Sequence, residues 1–136
     1  MKTLIIYYSY SGKTKSIAEA LSVKEAADIV EIKDVKRPGV PKAYSAGCFA
    51  AIRGIAWSIL PLGVNIAAYD RLTLLAPVWA SNPAPAMNAV LAQLPRNKVI
   101  DVKMVSMSGK SNCKERLEKV ILSKGCTLES FEDIKS

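Results

Sequence analysis

Histidine is absent from all 136 residues, and that absence alone removes a class of chemistry. Without imidazole there is no Ser/His/Asp or Cys/His relay, and the commonest general base and metal ligand are missing. Cysteine is scarce too: Cys48, Cys113 and Cys126 are odd in number and show no Cys-x-x-Cys spacing. A disulfide framework and a zinc site are thereby excluded, and reduced thiols in a cytoplasmic setting are expected. No apolar run approaches the roughly 20 residues of a spanning helix. The longest tract, residues 54–68, follows Arg53 and is broken by Pro61 and Asn65, so no membrane insertion is expected. The start of the chain lacks the apolar stretch and small-residue cleavage site of a signal peptide.

Acidic residues are outnumbered, 12 against 19 Lys and Arg, leaving a net charge of +7. Such a balance suits an acidic partner, a nucleic acid or a membrane surface. The cations are scattered, however, with Lys33, Lys36, Arg37 and Lys42 the single loose cluster and no RNA-binding aromatic motif beside it. A solvated basic face is the reading that follows, without nucleic-acid binding.

What is present is a single domain over 1–136, half of it hydrophobic, enough to fold without disulfides or metal. Apolar runs alternate with helical periods, the pattern of a parallel sheet covered on both faces. Residues 3–8 and 72–76 read as strands buried on both sides. Residues 28–33 and 127–132 carry alternating charges and read as edges, and 99–107 supplies the fifth strand. Helices are predicted after the first loop on Ile17 and Leu21, over Ala43–Ile59, over Pro83–Leu94, and over 112–124, where Asn112 and Glu115 form a capping-box pattern. Cys113 falls on the apolar stripe of the last helix, so packing rather than reactivity is expected of it. The fold class is α/β: a doubly wound five-stranded parallel sheet of order 2-1-3-4-5 in a three-layer sandwich. In such sheets ligands sit beyond the carboxyl ends of the strands, where the winding reverses. Residues 9–14, 77–83 and 108–112 would converge there.

The first of these loops, Ser9-Tyr10-Ser11-Gly12-Lys13-Thr14, combines hydroxyls, a Gly for a tight bend and backbone N–H groups at a helix N-terminus, which together suit a phosphate. Its pattern of hydroxyl, any residue, hydroxyl, Gly, any residue, Thr resembles the phosphate loop of the flavodoxin family. The stretch from Tyr69-Asp70-Arg71-Leu72 through Pro77-Val78-Trp79-Ala80 to Pro83-Ala84-Pro85-Ala86 is similar to the one by which small flavodoxin-like proteins present an aromatic to the flavin. Ser106-Met107-Ser108-Gly109 is a weaker match.

The resemblance implies flavin mononucleotide (FMN) as cofactor. It places Ser9, Ser11 and Thr14 as hydroxyl donors to the phosphate, with the N–H groups of Tyr10, Gly12 and Lys13 completing the nest; the Lys13 side chain, where the family often has Asn, either adds a charge contact or turns to solvent. It puts Trp79 against the isoalloxazine ring within the segment Pro77, Val78, Trp79, Ala80, Ser81 and Asn82, and Ser108, Gly109 and Lys110 at the ring's pyrimidine edge. Electron transfer between cellular redox partners is the implied function. Two departures from the family keep other readings open. Ala80 and Ser81 replace the Gly whose peptide flips toward reduced flavin, at a cost on the order of 1 kcal/mol for a non-Gly residue at positive φ. The basic charge inverts the acidity usual in electron-shuttling flavodoxins, pointing to an acidic redox partner. An NAD(P)H or quinone reductase and a flavin-free interaction module remain as alternatives. Trp57 has no family counterpart, and the apolar side of Ile55–Leu62 suggests a homodimer contact.

Overall fold

The computed structural model describes residues 2–136. The opening apolar run forms β1 (Thr3–Tyr7), and the chain turns at Gly12 into α1 (Lys13–Glu25) and then β2 (Asp28–Glu31). A helical segment follows, α2 (Val40–Lys42) passing through a π-helical turn at Ala43–Gly47 into α3 (Cys48–Arg53). Then come β3 (Arg71–Trp79), β4 (Asn82–Pro83), α4 (Pro85–Ala92), β5 (Val99–Ser106), α5 (Lys114–Ser123) and β6 (Thr127–Lys135).

The long strands lie in the order β2-β1-β3-β5-β6 and each neighbouring pair is parallel, with β4 a two-residue antiparallel addition to β3. Once β4 is set aside, this is the expected winding. Because side chains alternate along a strand, Leu4 and Ile6 face one layer and Ile5 and Tyr7 the other. The first layer is the larger: Leu72, Leu74, Ile100 and Val102 pack there against Met87, Val90 and Leu91 of α4 and Leu117 and Ile121 of α5. On the opposite face Ile5, Tyr7 and Leu75 lie beneath Ile17, Ala18 and Leu21 of α1. Beyond α1 that face becomes polar, with Arg71 paired to Asp101 at 2.6 Å and to Glu129, and Lys103 to Glu132 at 2.8 Å. Both edge strands, β2 and β6, fall where their charges placed them.

Three expectations require correction. The helix read over Ala43–Ile59 starts at Val40 and stops at Arg53, because Gly54 adopts φ 67° and closes it. The structure further shows an inversion of the usual facing, on which the sequence is silent: the small residues Ala43, Gly47, Ala50 and Ala51 face the body, while Val40, Tyr44, Phe49 and Ile52 face out. An apolar period marks a helix, but which side is buried depended here on the size of the residues and not on their hydropathy. The second correction concerns β3, which runs on to Trp79 and returns through β4, so residues 77–83 form a hairpin and not an open loop. Finally, α5 begins at Lys114 with Cys113 at its N-cap and no side-chain cap, so the Asn112–Glu115 capping box does not form.

Candidate functional site

The carboxyl ends of β1, β3 and β5 bring the three loops to one cleft of about 620 Å³. From the first loop Ser11, Lys13 and Thr14 line it; from the hairpin, Pro77, Val78 and Ser81; from the third loop, Ser106, Met107, Ser108 and Lys110, with Val105 and Ser136 beside them. The lining therefore carries six hydroxyls and two ammonium groups, no Asp or Glu side chain, and a wall of Pro77, Val78, Val105 and Met107.

Each loop is held open by its own hydrogen bonds. In the first, the Gly12 N–H donates to Ser9 Oγ at 3.0 Å, and Gly12 takes φ 102°, a conformation that favours glycine. The Gly12 carbonyl accepts from the Ser16 N–H at 3.1 Å, so the bend passes straight into α1. Ser9 thus shapes the loop, Ser11, Gly12 and Lys13 are exposed, and Thr14 is buried in the first turn of α1. In the third loop the Gly109 and Lys110 N–H groups donate to Ser106 Oγ at 3.0 and 3.2 Å. The Ser106 hydroxyl organises that loop as Ser9 does the first, a role the sequence motif did not assign.

The hairpin is the most strained part of the site. Ala80 and Ser81 occupy φ 49° and 68°, the two left-handed positions of a two-residue turn that matches strand twist but disfavours side chains. The positive φ expected only for a flipped peptide is therefore already present in the resting backbone. Asn82 bonds the turn internally, its Nδ2 donating to the Ala80 carbonyl at 2.9 Å, and its Oδ1 accepts from Arg116 Nε and Nη2 at 3.3 and 3.1 Å. The Asn112 N–H donates to the Ser81 carbonyl at 2.9 Å. Arg116 and Asn112 thereby tie the hairpin to α5 and the third loop, a coupling that sequence spacing does not reveal. Replacing the turn by Ala80→Asn with Ser81→Gly should raise stability by about 1 kcal/mol, read as a higher unfolding midpoint in urea, since these residues accept both left-handed positions.

Trp79 points away from the cleft. Its indole meets Tyr8, Tyr10 and Trp57 edge-on, with centroids 6.2, 5.5 and 6.2 Å apart. Trp57, unassigned by the sequence motifs, completes this cluster. A second, apolar hollow of about 350 Å³ lies beside it, bounded by Tyr10, Val40, Tyr44, Cys48, Trp79 and Ala80 among others. Tyr10 is fixed by its Oη donating to the Pro38 carbonyl at 2.9 Å and by Arg37, which lies 4.4 Å over its ring and donates to its carbonyl. Beneath the cluster Tyr8 Oη donates to Asp34 Oδ2 at 2.6 Å, while Asp34 Oδ1 is buried without a hydrogen-bond partner. Burial, and then the Asp34 carboxylate, push the Tyr8 hydroxyl far above its usual range, so it stays a neutral donor. Cys113 is buried, and burial raises its thiol pKa, so it is unreactive at neutral pH.

Among the described residues no group of three or more His, Cys, Asp or Glu could hold a metal ion, and no helix is long and apolar enough to cross a membrane. No protein-family model matches the chain, and no curated protein matches it. Solved structures do. The flavoprotein from Lactobacillus acidophilus NCFM in complex with FMN superposes with a TM-score of 0.72 at 23% identity, over 96% of this chain and 91% of that one. The apo-form of the same flavoprotein gives a TM-score of 0.70 at 23% identity, over 97% and 92%. Oxidised Flavodoxin 2 from Bacillus cereus gives 0.56 at 18% identity, over 99% and 86%. The fold is that of the flavodoxins.

Proposed function

We propose that this chain, built on a flavodoxin-like fold, binds FMN in the cleft above β1, β3 and β5 and serves in electron transfer. The observation that carries this reading is the chemistry of the lining: six hydroxyls and two lysines with no Asp or Glu side chain, beside an apolar wall, at the point where the sheet reverses its winding. A phosphate dianion needs donors and cations, and a flat ring system needs a surface that sheds water; the cleft offers both. The structural likeness to an FMN-complexed flavoprotein supports the same assignment.

Ser11 and Thr14 hydroxyls would donate to the phosphate, and Lys13, the first residue of α1, would add charge where the helix N-terminus is already favourable to an anion. Val78, Val105 and Met107 would exclude water from the ring, and the third loop would meet its polar edge. FMN, once bound, supplies reversible one- and two-electron chemistry. Lys13 and Lys110 would favour added negative charge in the cleft, whereas its apolar wall would disfavour it.

Titrating the purified protein with FMN and with riboflavin, followed by flavin absorbance and fluorescence, tests the assignment. FMN should bind at least ~100-fold more tightly than riboflavin, because two or more charge-assisted hydrogen bonds act only on the phosphate. Equal affinities would remove the phosphate site. Turnover of NAD(P)H or a quinone by the loaded protein would assign it to the reductases in place of the carriers.

A further inference from the structure

We propose that residues 35–64 form a peripheral docking face for an anionic lipid surface. Among the described residues twelve bulky apolar side chains are exposed, and eight of them fall in this one segment. Tyr44 is 83% exposed, Val40 70%, Ile52 58% and Phe49 56%. Single exposed apolar residues are ordinary, but a concentration of this kind is not. It arises from the inversion of the α2–α3 helical segment, whose inner side is small and whose outer side is bulky. Ile55, Leu60 and Val64, later in the same segment, are exposed as well. Val35 joins them through its N–H, which donates to the Ser58 carbonyl at 3.2 Å.

The charge on this face selects the occupant. Residues 35–69 contain Lys36, Arg37, Lys42 and Arg53 and not one Asp or Glu, and the bordering Asp34 turns its carboxylate inward, Oδ2 accepting from Tyr8 Oη and Oδ1 buried. Three of these cations lie over aromatic rings: Arg37 on Tyr10, Lys42 at 5.8 Å on Trp57, and Arg53 at 4.9 Å on Phe49. The ion pairs of the described residues are formed by Arg71, Lys103 and Lys119, all elsewhere. A second copy docking by the same face would set eight cations against each other with no carboxylate between them, so self-association is opposed. An acidic protein would bring its own donors and acceptors and needs about one hydrogen bond per 100–200 Å². Apart from its four cations and the exposed Tyr44, this face has few polar groups to answer with: Ser45 Oγ donates to the Pro41 carbonyl at 2.8 Å, and Asn65 Oδ1 accepts from the Ala67 N–H at 3.2 Å. A lipid surface asks for less. It takes diffuse positive charge and apolar side chains that reach the acyl boundary, with Lys and Arg flanking them.

The test uses vesicles of phosphatidylcholine with and without phosphatidylglycerol, in flotation assays at low and at raised salt. The protein should float with the phosphatidylglycerol vesicles, remain behind with pure phosphatidylcholine, and be released by salt. Lys42→Gln with Arg53→Gln should lower partitioning by about thirtyfold, taking about fivefold per cation near the surface. Phe49→Ser with Ile52→Ser should lower it by about tenfold or more, since both side chains then lose their place in the apolar boundary. These residues are exposed, so the variants should keep their circular dichroism and melting behaviour. Lys24→Gln with Lys119→Gln, an equal change of charge off this face, should leave partitioning within about threefold.

Absence of binding to phosphatidylglycerol at low salt overturns the proposal. So does an equal loss in the face and off-face variants, which would mean attraction by net charge alone. A dimeric mass that falls to the monomer in Phe49→Ser with Ile52→Ser would give the face to a second copy. Tight binding of polyglutamate with the same dependence on Phe49 and Ile52 would give it to an acidic polypeptide; either result also sinks the lipid assignment. Flotation is read without flavin, so failure of the FMN titration and failure of this proposal are separate outcomes.

Discussion

Reversing both cleft lysines, Lys13→Glu with Lys110→Glu, should weaken FMN binding by a factor on the order of a thousand at low salt. The two substitutions change the charge beside the phosphate by four units, and at about 1 kcal/mol per unit in high-dielectric surroundings the loss is about 4 kcal/mol. No Asp or Glu side chain lines the cleft to dilute the effect. The loss cannot be ascribed to unfolding through the helix: Lys13 is the first residue of α1, where an acidic side chain improves the match to the helix dipole. Two internal controls sharpen the result. Riboflavin affinity should change by less than about tenfold, because its tail has no phosphate to repel. The gap between wild type and variant should also narrow as salt is raised and the interaction is screened. An FMN dissociation constant that moves less than about tenfold, with no dependence on salt, would mean that hydroxyls and amides alone hold the phosphate.

The second large effect is expected at Gly47, which touches no part of the cleft. Its φ of −65° and ψ of −47° are open to any residue, so conformational freedom does not explain the glycine. Space does. A Cβ built there would lie 2.7 Å from Trp79 Cζ3, 3.0 Å from Cε3 and 3.2 Å from Trp57 Cη2. Gly47→Ala should therefore force the Trp79 indole out of its edge-on packing and destabilise the fold by about 1–3 kcal/mol, the cost of overpacking, partly offset by better helix propensity. Gly47→Leu should cost more. Chemical denaturation measures the loss, and near-ultraviolet circular dichroism should show the Trp57–Trp79 pair changing. Gly47→Ala combined with Trp79→Phe removes the clashing ring atoms and should recover part of the stability, a coupling that a generic helix effect cannot produce. Trp79 is the last residue of β3 and its neighbours Ala80 and Ser81 are strained, so its displacement should also disturb the Ser81 side of the cleft.

The parts of this molecule that could be read in advance share one property: their signals are local. Residues 3–8 read as a doubly buried strand because Leu4, Ile5, Ile6, Tyr7 and Tyr8 follow one another without a charged residue. Ser9–Thr14 reads as a loop into a helix because Gly12 and the hydroxyls admit little else. The charged alternation of residues 28–33 and 127–132 placed both at the edges. The hairpin escaped notice because Ala80-Ser81 lacks the Asn-Gly signal of a two-residue turn, and the structure pays that strain through Asn82, Asn112 and Arg116, two of them some thirty residues away. The helix expected over Ala43–Ile59 ends earlier because Gly54 closes it, and its facing was not legible because the body demands small residues under Trp57 and Trp79.

Backbone preference and the spacing of apolar residues act over a few positions, so the amino-acid order alone determined the five long strands, the winding of the sheet and the place of the Ser9–Thr14 loop. Which way Trp79 turns, why position 47 must be glycine, and that Val40, Tyr44, Phe49 and Ile52 face outward were decided only by the tertiary structure. Those outcomes rest on contacts between residues far apart in the chain, where the volume left by one element sets what its neighbour can present.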